Sequence, residues 1–390
     1  MNLSAKITAV MSSLTLVFSA AAPCSSYAVQ VSPPDVISSE SITATAEDAA
    51  LQMREYLKSH TTEFSVETDK SGYNKDEIAP KMMYKAFDET GSGTDGDYLR
   101  FAVRSYRCRI TSYTNYYKLT YNVTYFTTPE EEEALTRKIN DIFSSLNIDK
   151  MSDYKKIETL YQYVTTNVEY SEDMDDPHIY SAYNAVFNGN AVCQGVTQLL
   201  YRMYTDCGIS CRIIAGTSVE LDDPDSEGNH VWLIVKLDGI YYLLDPTWDL
   251  GNRIEDCIFF LKGSSDFESA DPNVLHIATN NNKLTFPDYN SDEFKAAYPI
   301  SKTKYVKKNY TLGDVNNDNL IDSVDASIIL AEYTRLSSNM PSGLNSEQSD
   351  AADINLDSKI DAIDASQILG YYAAVSSGKY ISLTDFINAH

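Results

Sequence analysis

Between Tyr117 and Tyr125 the chain alternates Tyr117, Leu119, Tyr121, Val123 and Tyr125 with Lys118, Thr120, Asn122 and Thr124, the period-two pattern of a strand with one buried face. Ahead of it, Ala49, Met53, Tyr56 and Leu57 recur at near-helical spacing and predict a helix within residues 41–60, with Gly72 and Gly91-Ser92-Gly93 marking loops. Residues 41–128 therefore read as a small α/β domain whose many tyrosines are packing residues. Thr128-Pro129-Glu130-Glu131 opens the next helix, with threonine as cap, proline in the first turn and glutamates where the dipole favours them. The acidic run at 130–133 reads as a solvated helix start. A further helix follows from Ser152, with Ile157, Leu160, Tyr161 and Val164 on one side.

Two later patterns carry chemistry. Val196, Leu199, Leu200, Met203 and Tyr204 predict an amphipathic helix ending near Gly208, which puts Cys193 at its N-terminus, where the dipole and unpaired N–H groups stabilise a thiolate. The runs His230–Leu237 and Ile240–Pro246 flank Asp238-Gly239, the sequence of a two-residue hairpin turn. If Leu237 pairs with Ile240, Asp245 falls opposite Trp232, and His230 becomes its diagonal neighbour on the same face, roughly 7–8 Å away at the backbone. A slip of one residue would separate them. A cysteine nucleophile, an imidazole base and a carboxylate that orients it form a catalytic arrangement: Cys193, His230 and Asp245. His60, His178, His276 and His390 have no comparable setting in the sequence.

The stretches Tyr183-Asn184-Ala185, Gly189, Ala191-Val192-Cys193-Gln194-Gly195, His230-Val231-Trp232 and Asp245-Pro246-Thr247-Trp248-Asp249 resemble the core of the transglutaminase-like superfamily of cysteine enzymes, over about residues 130–265. The resemblance implies an α+β, papain/transglutaminase-like fold, with a Cys-bearing helix packed on an antiparallel sheet that bears His and Asp, within a catalytic domain at 129–300. It implies attack on amides of a protein or peptide substrate but not which acceptor takes the acyl group; hydrolysis is expected first, since it needs no second substrate site, with protein crosslinking as the alternative. The Cys193 backbone N–H is the expected oxyanion donor, with Tyr183 and Gln194 as side-chain alternatives. Gln194 stands where the family usually has an acidic residue.

A basic segment with Lys302, Lys304, Lys307 and Lys308 marks a linker at 301–311, after which the chain holds one internal repeat. Asp314, Asn316, Asp318, Leu320, Asp322 and Asp325 occupy positions 1, 3, 5, 7, 9 and 12 of a calcium loop, and Asp353, Asn355, Asp357, Lys359, Asp361 and Asp364 repeat them. Leu320 and Lys359 would give backbone carbonyls. Position 6 is Asn319 or Ser358, of which asparagine better tolerates a left-handed turn. Each loop runs into one helix. This duplicated loop–helix resembles a type I dockerin, a small all-α module expected at 312–380. The resemblance implies two Ca2+ ions and binding to a cohesin module of a scaffoldin in an extracellular, cell-surface cellulosome. Ser323, Val324, Ala362 and Ile363, at positions 10 and 11, would help choose the cohesin.

Composition narrows the partners. The formal net charge of −25 argues against nucleic acid and anionic membrane surfaces. Lys6, the apolar run 7–22 and the small-residue exit at Ser26-Tyr27-Ala28 read as a secretory signal peptide over 1–28, and no segment is expected to span a membrane. Of the cysteines beyond it, Cys108, Cys193, Cys207, Cys211 and Cys257, at least one must stay unpaired within the chain. Two other readings stay open: a non-catalytic binding module, and an accessory factor in polysaccharide degradation. Against a sugar-binding role, Trp232 and Trp248 both lie inside the cysteine-enzyme motifs.

Overall fold

A computed structural model describes residues 44–389 apart from 71–72, 174, 221–222, 272–273, 280–285, 308–309 and 358, and it divides between Tyr305 and Val306 into two units. The expected signal peptide lies outside the described residues. Among these residues no helix is long and apolar enough to cross a membrane.

The first unit begins with α1 (Ala46–Lys58), β1 (Glu63–Asp69), α2 (Ile78–Ala86), α3 (Gly96–Ala102), β2 (Val103–Ser112) and β3 (Tyr116–Tyr125). The strands form an antiparallel sheet in the order β1-β3-β2. Its register sets Leu119 opposite Val66 and Ile110, and Tyr121 opposite Phe64 and Cys108, so that one face joins Met53, Leu57, Met82 and Met83 in a core. The alternation read from the sequence is this face. Tyr121 is fully buried and satisfies its hydroxyl on Ala79 O at 2.9 Å.

The second core is larger. It takes in α4 (Pro129–Leu146), α5 (Asp153–Asn167), β4 (Glu169–Tyr170), α6 (Ala182–Phe187), β5 (Asn190–Ala191), α7 (Cys193–Asp206), β6 (Cys211–Glu220), β7 (Asp223–Leu237), β8 (Ile240–Leu244), α8 (Ser264–Phe267), β9 (Val274–Ala278) and α9 (Asp292–Ala297). Thr128 closes the capping box of α4 with Glu131, and Ser152 is the N-cap of α5. The long strands form a four-stranded antiparallel sheet, β8-β7-β6-β9. α7 is buried from Cys193 to Tyr204 and packs against α5 on one side and β6 and β7 on the other. This is the expected α+β arrangement of a cysteine-bearing helix on an antiparallel sheet.

The two cores share α3, which gives Leu99 to the first and Tyr98 and Phe101 to the second. An ion cluster ties the helix to β6. Fully buried Asp97 accepts two bonds from Arg212, at 2.7 and 3.2 Å, and one from Ile213 N at 2.9 Å, and it also pairs with Arg100. Burying these charges is tolerable only because the carboxylate's acceptor sites are filled. Glu132 is not the solvated residue expected of the acidic run: it accepts from the hydroxyls of Tyr98 and Thr127, both at 2.7 Å. Ser301 and Tyr305, expected in the linker, are held to the sheet by Tyr241 O and Leu261 O, and Tyr305 stacks on Tyr154.

The second unit is all-α, with α10 (Ser323–Ser337), α11 (Ser346–Ala352), α12 (Ala362–Ser376) and α13 (Leu383–Asn388). Val315, Ala326, Ile329, Ile354, Ala365 and Ile368 fill its core, and Leu383 adds to it from beyond residue 380.

Candidate active site

Cys193 is the first residue of α7, and Val192 before it supplies no side-chain cap. The first-turn N–H groups have no partner within the helix. The preceding turn is shaped by Asn184, whose Nδ2 donates to Asn190 O at 2.8 Å and whose backbone N–H bonds Ser181 Oγ. Gly195 lets this segment pack over the helix start, since a Cβ there would lie 2.7 Å from Ile179 O and 2.8 Å from Ser181 O. Gln194 donates to Phe101 O and Tyr180 O, each at 3.0 Å. Both of its amide protons are thus used in holding α7 to its surroundings, which corrects its expected place as an oxyanion donor. Tyr183 packs its ring on Phe187 with centroids 4.5 Å apart.

The hairpin has the register read from the sequence. Leu237 pairs with Ile240 and Leu233 with Leu244, through a turn in which Asp238 and Gly239 have φ of 51° and 84°. The ladder ends at Leu233 and Leu244, and Asp245, the next residue, meets His230 across it: Nε2 to Oδ2 is 2.5 Å, with both side chains buried. Asp245 Oδ1 accepts from the backbone N–H of Thr247 at 2.9 Å and of Trp248 at 3.3 Å.

A second imidazole reaches the same carboxylate. His276, on β9, places Nε2 3.1 Å from Asp245 Oδ2. Sequence reasoning gave His276 no setting, because nothing in its local pattern says that β9 returns to pair with β6. Gly216 makes the approach possible. It pairs with both His230 and Ala278, and a Cβ on it would lie 2.1 Å from Ile277 O and 2.8 Å from the Trp232 ring. Asp249 is a supporting residue: it accepts from Tyr161 Oη at 2.7 Å, Ile258 N at 2.8 Å and Phe259 N at 3.0 Å, while Phe259 O receives the Asp245 N–H. Burial pushes the Asp249 carboxyl up to about 6.

Electrostatics favour an imidazolium. Burial by itself would lower the pKa of His230, but the Asp245 charge and hydrogen bond outweigh it, Cys193 acts in the same direction, and the group is pushed up to about 10. For Asp245, burial opposes ionisation, and the neighbouring His230 overcomes it and holds the carboxyl below its usual range. With Nε2 engaged by Asp245, the buried Nδ1 of His230 has no partner of ordinary hydrogen-bond geometry among the described residues, and Cys193 is the group that acts on the ring besides Asp245. That atom is the one available to a sulfur. Burial raises the phenols of Tyr170 and Tyr180, with the neighbouring Cys193 acting in the same direction, and Phe126 stacks on Tyr180 at 5.4 Å, giving the site an aromatic border. Among the described residues Cys193, Cys207, Cys211 and Cys257 are free thiols. His60 bonds Thr127 at 3.2 Å and His178 bonds Asp176 at 2.9 Å, each away from this cluster, and His390 is not among the described residues.

In the second unit the described bonds of the two acidic loops run in parallel. Asp318 N donates to Asp314 and Asn316, both at 3.0 Å, and Val315 N donates to Asp325 at 2.8 Å. Asp357 N donates to Asp353 at 3.1 Å and Asn355 at 3.0 Å, and Ile354 N donates to Asp364 at 2.8 Å. Asp322 and Asp361 cap α10 and α12 through Val324 N and Ile363 N, each at 2.7 Å. Asn319 takes the left-handed conformation, φ 67°, while Ser358 lies outside the described residues. Donor sets made of carboxylate, amide and carbonyl oxygens suit a hard cation such as Ca2+. Ser323, Val324, Ala362 and Ile363 are all exposed on the first turns of these helices.

Residues 144–246 match the model of the transglutaminase-like superfamily, and residues 312–371 match that of the dockerin type I domain. The chain thus carries a transglutaminase-like core domain and a C-terminal type I dockerin domain, and type I dockerins generally bind calcium. Among solved structures it is similar to a crystal structure of a TGase, with 14% identity and a TM-score of 0.26 over 37% of this chain and 44% of that one. Another is a presumed cysteine protease from Cytophaga hutchinsonii, with 13% identity and a TM-score of 0.22 over 45% of this chain and 75% of that one. The chain therefore spans less than half of the TGase structure. No curated protein matches it.

Replacing Asp245 with asparagine removes the charge that outweighs burial. His230 should then fall well below about 10, with only the Cys193 contribution left to oppose burial. In 15N-imidazole NMR the wild-type ring should be doubly protonated at pH 8, and the Asp245→Asn ring should lose its second proton at lower pH. A His230 titration that does not move on substitution would contradict the assignment of its charge to Asp245.

Proposed function

We propose that the protein is a secreted, cellulosome-borne cysteine enzyme that cleaves amide bonds of proteins or peptides through Cys193, His230 and Asp245. The observation that carries the reading is the buried His230–Asp245 pair beside a cysteine at a helix N-terminus. The Cys193 sulfur, as thiolate, attacks the substrate carbonyl, and the resulting oxyanion is met by the Cys193 backbone N–H, one of the first-turn donors. The tetrahedral adduct collapses with loss of the amine, which takes its proton from His230 Nδ1 and leaves a thioester. Water then attacks the thioester, His230 receives its proton, and the acid departs as the thiolate–imidazolium pair re-forms. Asp245 keeps a proton on His230 Nε2 throughout, so that Nδ1 is the atom that exchanges protons.

The same thioester can be taken by a primary amine, which makes protein crosslinking the second reading. Hydrolysis is preferred because it needs no second substrate site. A binding module without activity has no use for a buried, charge-paired histidine beside a thiol.

The C-terminal module would anchor the enzyme to a cohesin of a scaffoldin at the cell surface. Asp314, Asn316, Asp318, Leu320, Asp322 and Asp325 would hold one Ca2+, and Asp353, Asn355, Asp357, Lys359, Asp361 and Asp364 a second. Bound calcium would neutralise the carboxylates that each loop crowds together, and so couple folding of the module to the metal. Ser323, Val324, Ala362 and Ile363 would lie at the cohesin contact.

Incubation of the calcium-loaded protein with a mixed protein substrate and a fluorescent primary amine distinguishes the readings. Cleavage lost in Cys193→Ala supports the peptidase, and amine incorporation lost in Cys193→Ala supports the transglutaminase. If the variant matches wild type in both assays, the catalytic reading fails. Calorimetric titration of the chelated chain should give two Ca2+ per chain, and one after Asp314→Ala. A chain that takes up no calcium would contradict the metal assignment.

A further inference from the structure

We propose that His276 is a positioning residue of this triad, whose Nε2–H donates a second hydrogen bond to Asp245 Oδ2 and so holds the carboxylate that orients His230. The proposal rests on the reading of Cys193, His230 and Asp245 as one nucleophilic unit.

A buried carboxylate keeps its charge only where its acceptor sites are filled. Asp245 meets four donors: His230 and His276 on Oδ2, and the amides of Thr247 and Trp248 on Oδ1. Two come from its own turn and cannot orient it relative to β7. His230 is the group to be oriented. That leaves His276 as the donor from a third chain segment, the one that fixes the carboxylate plane independently of the histidine it serves.

The surroundings of His276 hold its ring at the angle this requires. Phe267, Trp232 and Phe259 box it, with centroids 4.6, 5.3 and 5.4 Å away. Its backbone N–H is tied to Glu268 Oε2 at 2.9 Å, and its side chain is 1% exposed. Among the described residues its Nε2 edge has Asp245 as hydrogen-bond partner, while Nδ1 lies 3.9 Å from Glu268 Oε1, beyond hydrogen-bond reach. A histidine kept merely for packing would need neither the polar edge nor the close approach that Gly216 permits.

Packing and donation are separable by substitution. His276→Phe keeps an aromatic ring in the box and loses the donor, whereas His276→Gln loses the ring and keeps an N–H at similar reach. The readout is the rate of Cys193 alkylation by iodoacetamide in the full chain, resolved from the other thiols by peptide mass spectrometry and set beside each variant's thermal transition. Outer-shell partners that orient metal-ligating histidines are worth about 10- to 100-fold, and an orienting partner of a catalytic carboxylate is taken on the same scale. His276→Phe should slow Cys193 by about that factor, and His276→Gln should stay within about threefold of wild type, whichever variant melts lower. Equal rates for His276→Phe and wild type would overturn the proposal, as would a glutamine variant slower than the phenylalanine one. Should the phenylalanine variant fail to fold, His276→Leu takes its place. In an Asp245→Asn background the same substitution should have no further effect, and a full additional loss there would also overturn it. If wild-type Cys193 reacts no faster than Cys207 and Cys257, the triad reading itself fails, an outcome separate from normal wild-type reactivity that His276 does not influence.

Discussion

The hydrogen bond between His230 and Asp245 is 2.5 Å long and lies wholly inside the protein, and much of the surrounding architecture keeps two charged groups tolerable there. Either ion alone would be expelled or neutralised by burial. Together they need exact register, which the Asp238-Gly239 turn provides, and filled acceptor sites, which the Thr247 and Trp248 amides and His276 provide. Asp249 extends the same logic outward by tying Tyr161, Ile258 and Phe259 to the turn that follows Asp245. The aspartate is needed because the histidine is buried. An exposed histidine would be half protonated near neutrality without help.

Those parts of the fold governed by local chemistry could be read directly. The alternation at 117–125, the Thr128-Pro129 helix start and the hairpin at 238–239 each depend on residues adjacent in sequence, and each stands in the structure at the expected register. His276 could not be read this way. It sits 31 residues beyond Asp245, and its role depends on β9 joining the far edge of the sheet against β6. The signal that could have found it is Gly216, a glycine inside a strand, which marks close approach of another backbone. Gln194 and Glu132 failed for a related reason. Both looked free for chemistry or solvent, and both are spent on α3 and its neighbours, which only the tertiary fold brings near.

The second unit follows a different principle. Its loops repeat short-range bonds among the described residues, so the course of the backbone was legible position by position, including the left-handed Asn319. What sequence spacing did not supply was the small core joining the repeats, in which Val315 and Ile354 answer Ile329 and Ile368, and Leu383 adds to it from the last helix. A module with so little apolar area is poorly placed to fold on burial alone, and metal is the ordinary supplement.

The central claim is that Cys193, paired with His230, becomes acylated. The most direct test is acid quenching of the protein during turnover of an activated peptide ester, followed by intact mass and peptide mapping. The account predicts a thioester-sized adduct on Cys193 that is absent from His230→Ala and Cys193→Ser. No adduct, or one on Cys207 or Cys257 in its place, would contradict it.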